Sequence, residues 1–365
     1  MKKSLLALAV LGAFSGVASA QSSVTLYGTI DLAGRYVKNE GSNRRFSLAS
    51  DGLNSSQLGF RGVEDLGGGL KASFVLLAGV NADSGTANGK FWNRRSTVSL
   101  SSNAGEIRLG RDYTPTFWNL TLFDAFGTNG LGNSLNTAQR HPGTRQDNTI
   151  QYFLPSNLGG WYGQFMAGTS EGATSGDRPA RYLGGRVGFA AGPFDVAVAG
   201  AQIRYRGASF NGWTAGAPGG AITNDDQKSI NVGASWNFGF AKLMGYVDYE
   251  RLDNAADDRE LRGSISAVIP FGQSEVHVGY DRSRLRRDGA GTSTAQQLKA
   301  SYVYNLSKRT AVYGTVSYLD NNRNAAMSIA PASGTNASTG SQSATALPST
   351  GGDSRGVEFG VRHFF

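Results

Sequence analysis

The sequence predicts an all-β fold: a transmembrane antiparallel β-barrel of about sixteen strands with one loop folded inward. Three observations predict it. Apolar and polar residues alternate along the whole chain, connections alternate between short and long, and aromatic residues gather at the ends of apolar stretches. Successive side chains of a strand point to opposite faces, so period-two alternation gives each segment one apolar and one polar face. Soluble sandwiches alternate too. Segments of about ten residues, however, match a tilted strand crossing a bilayer.

The first element is not part of that barrel. Met1-Lys2-Lys3, an apolar stretch from Leu5 to Val17 and Ala18-Ser19-Ala20 before Gln21 form the three parts of a secretory signal peptide, residues 1–20. The apolar stretch is short for a spanning helix of about 20 residues. Residues 21–365 then form the barrel. Their densest apolar run, Phe74 to Val80, is also too short to span as a helix.

The strands follow in order. In the first, Val24, Leu26, Gly28, Ile30 and Leu32 alternate with Thr25, Tyr27, Thr29 and Asp31. Further strands start near Ser56, Leu70, Arg94, Glu106, Arg145, Trp161, Arg181, Phe194, Ser229, Ala241, Arg259, Glu275, Gln296, Thr310 and Arg355. Parity is ambiguous near Arg94, Trp161 and Thr310. Asp65-Leu66-Gly67-Gly68, Asn103-Ala104-Gly105 and Phe271-Gly272-Gln273 read as the short turns of one rim, with longer polar loops on the other. Trp236/Phe238, Tyr302/Tyr304 and Phe364/Phe365 suit interfacial girdles. A barrel of this size encloses water, whereas eight strands would be filled by side chains.

Two connections stand out. Residues 116–143 carry Trp118, Leu120, Leu122, Phe123 and Phe126, apolar surface that must pack on something, and the lumen wall is available. Residues 321–352, rich in Ser, Ala, Thr, Gly and Asn, read as a mobile external loop unable to bury a core.

Composition narrows the chemistry. Cysteine is absent, which excludes disulfides, thiolate metal sites and a cysteine nucleophile. Arginines outnumber lysines 26 to 9, which favours planar donors for carboxylate or phosphate. Arg35, Arg61, Arg145, Arg186, Arg262 and Arg362 fall on polar strand faces, dispersed as lumen-lining residues rather than gathered into a nucleic-acid patch. No catalytic residue, metal site or cofactor is assigned. His141, His277 and His363 are scattered, and Ser274 and Ser283 near His277 are a weak nucleophile signal in a Ser-rich chain. The Asp225-Asp226 and Asp257-Asp258 pairs could offer oxygen to Ca²⁺ but read more simply as solvated loop charges. Gly67-Gly68-Gly69 lies between strands and lacks the Lys-Ser/Thr of a phosphate loop, so it reads as a hairpin turn.

These residues resemble a known family, the trimeric general porins of Gram-negative bacteria, in their anion-preferring branch. The matching pieces are Ser23-Val24-Thr25-Leu26-Tyr27-Gly28, Leu58 through Leu70, Arg94-Arg95-Ser96-Thr97-Val98-Ser99-Leu100 and Leu109-Gly110-Arg111-Asp112. Asn305 through Thr310 and Gly360-Val361-Arg362-His363-Phe364-Phe365 complete them.

The resemblance implies a passive channel for small hydrophilic solutes, moderately anion-selective, in the outer membrane. It implies a homotrimer, with Phe365 in the signal read by barrel-assembly machinery. It also implies that the 116–143 loop forms the constriction, with Arg94 and Arg145 facing Asp124 across it. Gln57 stands where relatives often carry Arg, and Leu77 where they often carry Glu. Past Tyr280, Arg282, Arg284 and Arg286 continue the outward parity, where they could meet lipopolysaccharide phosphate or lie in a loop. A substrate-specific channel and a secreted all-β binding module remain the alternatives.

Overall fold

The computed structural model describes residues 23–87, 89–140, 143–169, 181–205, 225–322, 324–330 and 347–365. The signal-peptide reading and His141 fall outside them. The first strands are β1 (Ser23–Asn39), β2 (Arg45–Ser50), β3 (Gln57–Gly67), β4 (Leu70–Asn81), the two-residue β5 (Thr86–Ala87) and β6 (Arg95–Ser102). There follow β7 (Gly105–Tyr113), helix α1 (Pro115–Leu122), β8 (Arg145–Phe153), β9 (Trp161–Thr169), β10 (Arg181–Ala191) and β11 (Phe194–Arg204). The wall continues through β12 (Asp226–Asn237), β13 (Lys242–Leu252), β14 (Asp258–Phe271) and β15 (Ser274–Arg287). It ends with β16 (Gly291–Asn305), β17 (Thr310–Asn321) and β18 (Ser354–Phe364).

Neighbours pair antiparallel all the way round, and β1 closes the ring by pairing β18 on one side and β2 and β3 on the other. Closure gives every described strand of the wall a partner on both sides, as hydrocarbon demands, since an unpaired backbone donor or acceptor there costs several kcal/mol. Because β2 and β3 share one side of β1 and β5 is a short appendage, the barrel has sixteen strands.

The faces are inverted relative to a soluble protein. On β12, Ile230 is 52% exposed on the outer wall while Asn231, one residue on, is 1% exposed inside. Leu261 and Ile265 face out beside the buried Arg262 and Ser264. Trp236, Phe238, Tyr302, Tyr304 and Phe365 all lie exposed on the outer wall. Phe364 differs from the expected girdle. It turns inward, with the Arg362 guanidinium 4.3 Å from its ring centre.

The second strand begins earlier than the sequence suggested, at Arg45 rather than near Ser56. Its pieces β2 and β3 flank an inward bulge at 51–56, held by Asp31 of β1. The Leu53 and Asn54 amides donate to the Asp31 carboxylate, and the Asp51 amide to the Asp31 carbonyl.

Among the described residues, two connections enter the barrel. The first runs on from β7. Thr114 caps α1 by accepting from the Phe117 amide, and Pro115 supplies the pre-set φ of a first helical turn. The helix lies against β10, β11 and β12. Phe117, Leu120, Phe123, Leu135 and Ala138 form one buried cluster with Tyr113, Ala197 and Tyr246 of the wall. The second is the start of the 321–352 stretch, read as a mobile loop without a core; most of that stretch, 323 and 331–346, lies outside the described residues, but 324–330 do bury apolar side chains. Met327, Ile329 and Ala330 are buried against Val37, Leu131, Ala295 and Leu319. Asn321 fixes this turn-back through the Met327 carbonyl, 2.9 Å, and the Gly352 carbonyl, 2.8 Å.

Candidate functional site

The inward loop is tied to much of the ring's circumference. Asn119 donates to the Ala197 carbonyl of β11 at 3.0 Å, and Asn231 of β12 donates to the Thr116 carbonyl at 3.2 Å. The Ala125 amide donates to the Ser266 hydroxyl of β14 at 2.9 Å. The Leu131 amide donates to Glu358 of β18, and Gln297 of β16 returns a bond to the Leu131 carbonyl at 2.8 Å. The Gln139 and Arg140 amides donate to Glu260 of β14. Gly130 lets the loop pass. It has φ +58°, and a Cβ there would lie 2.1 Å from the Gly52 carbonyl oxygen of the β2–β3 bulge. A loop held at so many points cannot swing as a body.

Between the loop, the bulge and the wall lies a cavity of about 310 Å³. Gln57, Arg94 and Arg145 line it together with Asn54, Tyr113, Trp118 and Thr128, among others. The Tyr113 hydroxyl accepts from Arg94 at 3.0 Å and from Arg145 at 2.9 Å. Arg145 also stacks 4.4 Å from the Tyr113 ring centre, and Phe117 stacks on the same tyrosine. One phenol therefore holds two guanidinium groups side by side, a geometry that opposes their mutual repulsion. The Nε atoms of both arginines have no hydrogen-bond partner among the described residues.

Asp124 and Leu77 are not part of this group. Asp124 is buried away from the arginines. It accepts from the Phe126 amide at 3.1 Å and from Lys299 of β16 at 3.3 Å, and Lys299 also reaches Asp281 at 2.9 Å. The expected acid opposite Arg94 and Arg145 is thus turned away behind the loop, sharing Lys299 with Asp281. Leu77 is buried on β4 opposite Gly59 of β3, outside the cavity lining.

The lumen arginines fall into two kinds. Arg35 is paired with Glu358 at 2.7 Å. Arg262 bonds Asp248 and lies 3.4 Å from Glu260. Arg61, Arg186 and Arg362, like Arg94 and Arg145, have no carboxylate partner among the described residues. Arg61 sits over Tyr27, Arg186 bonds Asn119 and Tyr162, and Arg362 bonds Asn54 at 3.0 Å. Further inward arginines escaped the sequence reading, among them Arg140 and Arg287, which bond the buried Asp258. Arg95 and Arg108 each bond Asp112 at 2.7 Å, and parity near Arg94 was too irregular to place Arg95.

The remaining candidates separate. Ser274 bonds Tyr302, Ser283 accepts from Gln139, and His277 lies 3.1 Å from Glu275, so neither serine is bonded to that histidine. Asp257 turns outward to Arg251 and Arg259, while Asp258 turns inward to Arg140 and Arg287. Arg282, Arg284 and Arg286 lie within β15 rather than in a loop, and all three are exposed on the outer wall.

Removing the Tyr113 hydroxyl tests the clamp. Tyr113→Phe keeps every charge but frees both guanidinium groups to repel. Single-channel conductance is expected to change while the sign of ion preference stays, both read in one bilayer recording.

Comparison with known proteins agrees with this geometry. Residues 7–324 match the family described as Gram-negative porin. The chain is 40% identical to outer membrane porin protein 32 of Delftia acidovorans over the full length of both chains. It is 31% identical to an outer membrane porin protein of Bordetella pertussis, covering 88% of this chain and 95% of that one. The solved anion-selective porin from Comamonas acidovorans superposes with a TM-score of 0.79 at 34% identity, over 94% of this chain and 100% of that one. The closed barrel, its tethered inward loop and these full-length likenesses lead to one conclusion: the chain belongs to the Gram-negative porin family and is a passive diffusion channel of the outer membrane.

Proposed function

We propose that this channel passes small hydrophilic solutes with moderate preference for anions, set at Arg94 and Arg145. The observation that carries the reading is the pair of guanidinium groups on Tyr113, facing a cavity with no acid among its described lining residues, since Asp124 bonds Lys299 instead. A narrow wet passage in a low-dielectric wall concentrates the field of such charges and raises local anion concentration. The anion-selective Comamonas relative supports the same sign. The reading assigns the chain no reaction.

The experiment is a bilayer recording with potassium chloride more concentrated on one side. The zero-current potential should take the anion's sign, and the cation's sign would refute the preference.

The assembly we propose is a homotrimer meeting near the first and last strands. An apolar groove of about 880 Å³ crosses the outer wall there, lined by Leu32, Leu48, Tyr302, Val316 and Phe359 among others. Gly34 leaves open space in it, whereas the position beside Gly28 is filled by the Phe365 ring. Unheated detergent gels should show a band near three times the monomer mass, and a monomer under all mild conditions would sink the assembly. Phe365, locked to Gly28 by two backbone bonds of 3.1 Å, is the residue we assign to recognition by barrel-assembly machinery. Lipopolysaccharide is the outer-leaflet partner assigned to Arg282, Arg284 and Arg286.

A further inference from the structure

The bulge at 51–56 buries an acid behind the residues that line the cavity. Asp51 is 3% exposed and has φ +68°, a left-handed conformation that Asn and Asp enter more readily than other side chains. Its carboxylate accepts from the Ser56 amide at 2.6 Å. The bulge has other ties besides this one. The Asp31 carboxylate holds the Leu53 and Asn54 amides, and the Ser56 hydroxyl donates to the Asp31 carbonyl at 3.0 Å.

These contacts bring Asp51 close to Arg94. The Ser56 carbonyl accepts from the Val80 amide at 3.1 Å, and Gln57 lies opposite Gly79 of β4. The Arg94 side chain runs over Gly79, where a Cβ would lie 3.5 Å from the arginine Cδ. Asn54 and Ser55 of the bulge, with Gln57 beside them, line the same cavity as Arg94. Of the charges that face Asp51, Arg94 attracts and Asp31 of β1 repels. Asp31 also takes the Tyr313 hydroxyl of β17, Glu358 of β18 is paired with Arg35, and Asp83 past β4 accepts from Ser50 next door. Burial pushes the Asp51 carboxyl up to about 6, against the pull of the Ser56 amide and of Arg94. A charge in a poorly polarisable wall is felt beyond contact distance. Ionised Asp51 therefore subtracts from the field that Arg94 sends into the cavity, and protonated Asp51 leaves that field whole.

We propose that Asp51 is a specificity-determining residue of the pore: its negative charge holds back the anion preference set by Arg94 and Arg145, and protonating it in acid releases that preference. This rests on the anion reading of the pore. A carboxylate is charged above its pKa and neutral below it. Anion preference should therefore rise as pH falls, with the change centred near pH 6. Histidine changes charge over a similar range. His277, on β15 beside Glu275 and Phe126 and outside the cavity lining, is therefore the control.

The test uses the full assembled barrel in a planar bilayer at about 0.1 M potassium chloride, more concentrated on one side. The zero-current potential is read from about pH 7.5 down to about pH 5. The anion-to-cation permeability ratio of the unaltered channel should rise about threefold over that range. Asp51→Asn keeps the shape, suits a positive φ and leaves an oxygen for the Ser56 amide. It should show the raised ratio already at the upper pH and stay flat on acidification, while His277→Gln retains the rise. A flat profile in the unaltered channel would overturn the proposal. So would a ratio for Asp51→Asn that matches the unaltered channel at the upper pH or climbs with it in acid, or a flat profile in His277→Gln. A cation's sign at every pH refutes the ion preference itself, whereas an anion's sign unmoved by Asp51→Asn refutes only the role of Asp51. Where Asp51→Asn fails to assemble, Asp51→Gly replaces it, since glycine adopts a positive φ freely, and it must still flatten the profile.

Discussion

Replacing Arg94 and Arg145 together by Glu is expected to reverse the channel's ion preference while the barrel stays closed. Each replacement removes a positive charge and adds a negative one at the same cavity, and no acid among its described lining residues dilutes the change, because Asp124 is held by Lys299. The anion-to-cation permeability ratio should fall about tenfold at 0.1 M salt, where fixed charges act over about 10 Å. At 1 M the screening length is about 3 Å and the shift should shrink accordingly. The Tyr113 clamp would lose both donors, yet the loop keeps its anchors at Asn231, Ser266, Glu260 and Glu358, so assembly should survive. An unchanged zero-current potential in an intact assembly would show that the arginines only brace the loop.

The second large effect concerns stability. Arg262→Met should destabilise the folded barrel by about 3–5 kcal/mol, the scale seen when one partner of a buried ion pair is removed. Arg262 is buried among Asp248, Glu250 and Glu260 and also donates to the Arg140 carbonyl, so its loss leaves three buried acids facing one another. It also removes the bond from Arg262 to the Arg140 carbonyl, loosening the end of the inward loop. The heated-gel transition from folded to unfolded band should move to lower temperature, and open-channel current should become noisier. Arg262→Lys should recover little, since an ammonium on a flexible stem cannot span Asp248, Glu260 and a carbonyl at once. Full recovery by lysine would show that charge alone, not the planar fork, is needed.

These effects bear on what was legible in the sequence. Strand parity was readable because lipid and water act on alternate residues of one strand, so Ile230 and Asn231 declare their faces without reference to any partner. The start of the second strand was not. Phe46 and Leu48 do alternate with Arg45 and Ser47, but six residues followed by a break look like a loop. What makes the break part of the wall is Asp31, some twenty residues upstream. The direction of Asp124 was hidden for a similar reason, since its partner Lys299 lies 175 residues away. A loop acid shows its charge in the sequence but not the cation that will claim it. The buried Met327 and Ile329 were hidden because they lie in a short run of small residues within a Ser- and Asn-rich stretch, and their partners sit on other strands.

The seam between β1 and β18 also dictates how the chain can fold. Gly34 lies opposite Phe359, and Asp31 opposite Arg362, so the contacts that close the ring join residues more than three hundred positions apart. Every other strand pair in the ring can form between near neighbours in sequence, one hairpin after another, but this one carries the entropy of the longest possible loop. Until β18 arrives, β1 and β17 each present a bare edge able to recruit another chain. Closure is therefore the slow, aggregation-exposed step, and a chain stopped before Ser354 keeps the pairings from β1 round to β17 but has nothing to seal them.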